Sequence, residues 1–177
     1  PSAKKVDVAP TTSWTSNQFY LYGIDQEDSK IVGVYADYAW SIGIYGQKVT
    51  VADIEWGMNY NHEEFENQDL VEAIATTNNE YDDHGTAVMG EMIAEPNDYG
   101  VTGICYGVDQ FRGYSEIAPG GRAAGIVKAI SELSAGDVFV YEMQAVGAQG
   151  DYGPADYSQT VWDLTKQASD AGIIIVA

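Results

Sequence analysis

Short apolar runs suited to strands alternate along this chain with amphipathic stretches suited to helices, and few architectures accommodate that order. Residues 49–55 (Val-Thr-Val-Ala-Asp-Ile-Glu) are rich in β-branched and apolar side chains and are expected to form a buried strand, with 70–75 as a second. Residues 84–94 place Ala87, Val88, Met92 and Ile93 on one helical face. Further strands are expected over 109–114, 136–143 and 172–177. Helices are expected over 121–134, where Ala124, Val127, Ile130 and Leu133 keep helical spacing, and over 158–171. A short helix fits 37–42. Strands separated by helices require crossover connections, so the sheet is expected to be mainly parallel with helices on both faces, a three-layer α/β/α sandwich. Residues 1–17 lack periodicity and are expected as an extended arm, leaving 18–177 as the domain. In such sheets the working cleft lies beyond the carboxyl ends of the strands, where Glu55 and Glu142 both stand.

The stretch Asp82-Asp83-His84-Gly85-Thr86-Ala-Val-Met-Gly90 puts an imidazole at the mouth of a helix, with Asp82 or Asp83 placed to cap it. A carboxylate delivered by a strand end and a histidine at a helix start are two members of a nucleophilic triad. Period-two alternation sets Asp53 on the same strand face as Glu55, so either carboxylate can partner His84.

Charge narrows the function classes. The 177 residues carry 27 acidic against 8 basic side chains, a net charge of −19. Such a surface repels phosphate backbones and anionic lipid, which argues against nucleic-acid or membrane-surface partners, and it offers oxygen ligands to hard cations such as Ca²⁺. The single Cys105 excludes an internal disulfide and a cysteine-based zinc cluster; in an apolar setting it is expected to be inert. His62, before two glutamates, is expected to be structural rather than a metal ligand. No apolar run reaches membrane-spanning length. The chain opens at Pro1 without an initiator methionine, as expected of either a trimmed mature protein or an expressed piece of one.

Several segments, in order, resemble the subtilisin-like serine proteases. Val49-Thr-Val-Ala-Asp-Ile-Glu-Trp-Gly57 is similar to the family's strand ending in Asp-Thr/Ser-Gly, with Glu55 in the aspartate position. Asn61-His-Glu-Glu-Phe65 is similar to the His-Pro-Asp-Leu segment, and His84-Gly-Thr-Ala-Val-Met-Gly90 to the His-Gly-Thr-His-Val-Ala-Gly motif. Gly100-Val-Thr-Gly-Ile104 resembles the turn that follows. Residues 136–144 resemble the strand bearing the Ser-Leu-Gly substrate edge, and 168–177 the helix and strand leading to Ala-Ala-Gly-Asn. The resemblance implies a secreted endopeptidase that cleaves polypeptides through an acyl-enzyme, with His84 and Glu55 (or Asp53) as triad members.

It also implies a substrate-binding edge at Glu142, Met143 and Gln144. A carboxylate there either favours basic side chains or points into solvent, and pairing through the backbone survives the change of side chains. Structural calcium is implied at the Ala94-Glu-Pro-Asn-Asp-Tyr-Gly-Val101 loop. Asn97 takes the side-chain position, Glu95, Tyr99 and Val101 supply carbonyls, and Glu64 is the distant carboxylate; the alternative is an ordinary Pro-Asn turn. None of the serines here has the Gly-Thr-Ser-Met-Ala context, so the nucleophile and the oxyanion Asn are expected after Ala177, on a C-terminal part or companion chain, without which these residues are expected to be inactive. A non-catalytic subtilase-like protein that binds peptides or a partner is the alternative. A free-standing flavodoxin-like module fits less well, since the chain stops at a core strand.

Overall fold

The computed structural model describes residues 11–23 and 33–177, which form two compact units. The second unit, from Val49–Tyr60, Asp69–Thr86 and Gln110–Ala177, holds the main sheet. Its strands are β1 (Thr50–Glu55), β2 (Leu70–Ile74), β3 (Gln110–Ser115), β4 (Val138–Tyr141) and β7 (Ile174–Val176), in the order β2-β3-β1-β4-β7. Every pairing in this sheet is parallel. With helices between the strands, this is the α/β, mainly parallel fold expected from the alternation.

Strand β1 is central because both faces of it are buried. Ala52 and Ile54 point to one face and join Tyr114, Phe139 and Tyr141 in the core. That face is covered by α3 (Gly121–Glu132) and α4 (Gln159–Asp170), which contribute Ile126, Ala129, Val161 and Ala168. Gly125 of α3 has no side chain because a Cβ there would lie 2.6 Å from the Ile54 Cδ1. The other face of β1 carries Val51, Asp53 and Glu55, all buried. From β1 the chain runs to β2 and β3 on one side, then to β4 on the other. The end of β1 is therefore a switch point, where a cleft opens in sheets of this kind.

Two expected elements differ. The strand expected over 136–143 stops at Tyr141, and the chain then turns into an antiparallel hairpin of β5 (Gln144–Val146) and β6 (Tyr152–Pro154). Gly150, in the left-handed region at φ +86°, lets the chain make that return. The helix expected from His84 begins two residues earlier, as α2 (Asp82–Ile93), so Asp82 and Asp83 lie in its first turn rather than capping it. Their charge there still suits the positive helix end.

The first unit is drawn from the described residues of Pro1–Lys48, with Asn61–Gln68 and Ala87–Asp109. It includes the short helix α1 (Ala36–Ser41), and Tyr106 stacks flat on Tyr45 with centroids 5.4 Å apart. The extended arm over 1–17 lies partly outside the described residues. Its end is not extended, since Thr15–Asn17 forms a 3₁₀ turn and the Trp14 N–H donates to the Gly100 carbonyl at 2.7 Å. Among the described residues no helix is long and apolar enough to cross a membrane.

Candidate active site

Strand β1 ends on Glu55, and the backbone there is tied on both sides. The Glu116 N–H donates to the Glu55 carbonyl at 2.8 Å, and the Glu142 N–H donates to the Ile54 carbonyl at 3.2 Å. The side chain curls back so that the Trp56 N–H donates to Oε1 at 2.6 Å. This leaves Oε2 for the Nδ1 of His84, and the two are hydrogen-bonded. The Glu55 side chain is only 4% exposed whereas the imidazole is 66% exposed. A shielded carboxylate fixes one ring nitrogen while the rest of the ring meets solvent.

The residues after His84 explain how the helix comes so close. A Cβ at Gly85 would stand 2.3 Å from the Gly57 carbonyl oxygen and 2.6 Å from the Glu55 Cγ, so only glycine permits this approach. Thr86 then pins the turn. Its hydroxyl donates to the Asp82 carbonyl at 2.5 Å and accepts from the Asn59 N–H at 2.8 Å. Each letter of His-Gly-Thr thus has a separate mechanical duty.

Asp53 is on the face of Glu55 but lies in different surroundings. It is fully buried, opposite Gly113 in register, and neither carboxylate oxygen has a hydrogen-bond partner among the described residues. Burial, reinforced by the charges of Glu55 and Glu142, holds its carboxyl well above the usual range; the nearby Ile54 amide pulls the other way and is outweighed. The hydrogen bond from His84 goes to Glu55. Tyr60, which periodicity did not single out, lies over Gly113: a Cβ on that glycine would meet the phenol oxygen at 1.7 Å. Burial and the charges of Glu72, Asp53 and Asp82 keep that phenol neutral.

Of the edge residues, Glu142 and Gln144 are exposed and Met143 between them is buried. Met143 anchors the segment from inside while its neighbours look outward. Trp56 and Tyr81, each partly exposed, meet edge to face at 4.6 Å between centroids, next in sequence to Glu55 and to the start of α2. The hairpin and this aromatic pair escaped the sequence reading. The glycine spacing between Val146 and Tyr152 was the available signal for the hairpin.

The residues expected to bind calcium lie within the first unit. Glu64, buried, reaches the loop, its Oε1 accepting from the Val101 N–H at 3.2 Å. Gly100, at φ +53°, makes room, because a Cβ there would sit 1.2 Å from the same oxygen. The Asn97 Oδ1 accepts from the Tyr99 N–H at 3.0 Å. The Glu95 side chain turns away to Asn67, whose Nδ2 donates to it at 2.7 Å, so Glu95 has only its carbonyl to offer the loop. Among the described residues no three His, Cys, Asp or Glu side chains gather as metal ligands. A set of carbonyls, one amide oxygen and one carboxylate still suits a hard cation. His62 is engaged locally, its Nδ1 accepting from the Glu64 N–H at 3.3 Å.

The sequence pattern of the subtilase family, peptidase S8, matches residues 46–177. A thermophilic serine proteinase of Bacillus sp. (strain AK1) is 32% identical over 99 residues, covering 52% of this chain and 23% of that protein. Neuroendocrine convertase 2 of Drosophila melanogaster is 27% identical over 113 residues, covering 56% and 17%. Among solved structures, a cold-adapted subtilisin-like serine proteinase superposes with a TM-score of 0.61 at 20% identity, over 89% of this chain and 54% of its own. The prenylagaramide maturation protease PagA gives 0.57 at 17% identity, over 79% and 49%. The chain spans about a fifth of the length of the curated relatives it matches and about half of the solved structures.

Proposed function

Since this chain belongs to the subtilase family, we propose that it contributes the acid and the imidazole of a serine endopeptidase acting on polypeptides. The observation that carries the proposal is the Glu55–His84 hydrogen bond, with the carboxylate shielded and the ring open. Glu55 would hold the Nδ1–H tautomer and stabilise imidazolium, leaving Nε2 to take the proton of a serine hydroxyl as it attacks the scissile carbonyl, then return it to the leaving amine. The nucleophile and oxyanion donor are proposed to lie outside residues 1–177, on a C-terminal part or companion chain, because no serine here has the family's context. Without them this chain would be inactive. An extended substrate would run along the Glu142–Gln144 edge, where the exposed Glu142 carboxylate favours basic side chains.

The complete protein should hydrolyse unfolded casein and be labelled by a fluorophosphonate on a serine beyond position 177. Peptide binding with neither cleavage nor labelling would instead establish the non-catalytic alternative, which the replacement of the family's Asp by Glu55 and of its Ser-Leu-Gly by Glu142-Met143-Gln144 favours.

We also propose a structural Ca²⁺ held by Glu64, the Asn97 side chain and the carbonyls of Glu95, Tyr99 and Val101. The support is the Glu64 carboxylate lying against Gly100 and Val101. A ligand of the native state stabilises it by mass action, so chelation should lower the melting temperature of the complete protein, and Asn97→Ala should abolish most of that response. A melt indifferent to chelator rules the site out.

A further inference from the structure

A cation in the first turn of a helix faces the positive end of the helix dipole, which is the less favourable end for it. Arg122 is the second residue of α3. Gly120 and Gly121, at φ +95° and +61°, turn the chain so that the helix begins at that point. No acidic residue occupies the same first turn to offset the guanidinium. Its partners come from elsewhere in the fold. One nitrogen, Nη2, pairs at 2.7 Å with the Glu116 Oε2, a carboxylate only 6% exposed; the other, Nη1, donates at 2.9 Å to the carbonyl of Gln144.

Those two partners belong to the site. Glu116 follows β3, and its N–H is bonded to the carbonyl of Glu55. Gln144 closes the Glu142–Gln144 edge and opens the hairpin. Besides its hairpin pairing to β6, the edge is held by the Glu142 N–H on the backbone of β1 and by the Gln144 carbonyl on Arg122. Between them the buried Met143 anchors it. We propose that Arg122 is a positioning residue that, braced by Glu116, sets the Glu142–Gln144 edge at the register an extended peptide needs. This rests on the subtilase reading of the edge and adds to it the group that fixes its backbone.

One feature singles out arginine. The guanidinium is planar and forked, so it serves a carboxylate and a carbonyl in different directions at once. A lysine ammonium at the same place keeps the ion pair with Glu116 but gives up the carbonyl. Arg122→Lys therefore separates a role in stability from a role in positioning, and Arg122→Met removes both interactions while keeping the apolar stem.

In the complete protein, an internally quenched unstructured peptide serves as substrate and amide exchange is followed over 142–154. Both variants should raise KM by about tenfold with kcat within about twofold, the pattern of lost binding common to ground and transition states. Exchange over 142–146 should accelerate in both, while α3 and α4 keep their protection in Arg122→Lys, which also keeps the wild-type melting temperature. Wild-type KM in Arg122→Lys, a fall in kcat with KM unchanged, or unaltered exchange would each overturn the proposal. If the wild-type protein binds the peptide without cleaving it, the protease reading fails and the proposal is judged on Kd: about tenfold weakening sustains it and no weakening overturns it. A protein that neither cleaves nor binds the peptide overturns both.

Discussion

The two faces of β1 are equally buried and chemically opposite. On one, Ala52 and Ile54 press against α3, close enough that Gly125 must lack a side chain. On the other, Asp53 and Glu55 bring two carboxyl groups out of water, one hydrogen-bonded to His84 and one with no hydrogen-bond partner among the described residues. Apolar burial on the first face stabilises at roughly 25 cal/mol per Å² removed from water. Carboxylate burial on the second costs free energy unless hydrogen bonds offset it. The strand thus secures itself with one set of alternating residues and spends stability on the other, the asymmetry that the proposed site would require. It can be tested by substituting one face at a time.

The largest effect belongs to the hydrogen-bonded carboxylate. Glu55→Gln should leave the complete protein folded and lower kcat by about 10³–10⁴, because an amide neither enforces the tautomer nor stabilises imidazolium. His84→Ala should lower it at least as far. Steady-state kinetics beside a thermal melt decide the matter: full activity in Glu55→Gln removes Glu55 from the triad.

On the apolar face the loss should appear in stability instead. Ile54→Ala empties the space over Gly125 and should cost about 2–5 kcal/mol in denaturant unfolding. Activity per folded molecule should stay near wild type, since Glu55 lies on the opposite face and His84 is carried by α2. A mutant that unfolds no more easily but loses activity would mean the faces are not separable.

Much of this asymmetry was legible in the sequence. Alternation along 49–55 put Asp53 and Glu55 together, and the spacing of Ala87, Val88, Met92 and Ile93 gave α2 its face. The choice between the two carboxylates was not legible, because it depends on how closely Gly85 lets the helix approach Glu55, a contact between segments 30 residues apart in the chain. The hairpin after Tyr141 was hidden for another reason. Its strands are three residues long, too short for a periodic signal, and the apolar run through Met143 looked like one strand when the chain had already turned. Arg122 was invisible to apolar spacing, which takes no account of what a polar residue in a helix's first turn is bonded to.

The smallest expected effect is the one that isolates the cost of the unpaired carboxylate. Asp53 keeps its proton in the folded chain at pH values where the unfolded chain has released it, because burial and then the charges of Glu55 and Glu142 oppose its ionisation. The folded state accordingly binds more protons than the unfolded one, so this residue's contribution to stability falls as pH rises from about 4, the unfolded value, towards its raised native value. Asp53→Asn has nearly the same shape and no charge to release. At pH 4 the two proteins should melt almost together. By pH 8 the variant should melt higher by at least a few degrees, at about 2–4 °C per kcal/mol for a domain of this size. Its kcat should remain near wild type at neutral pH, since the imidazole is bonded to Glu55. A melting difference that does not change with pH would mean that Asp53 is ionised in the native state. Loss of activity in Asp53→Asn, with Glu55→Gln active, would transfer the acid's role to Asp53 and reverse the assignment of the two carboxylates on this face.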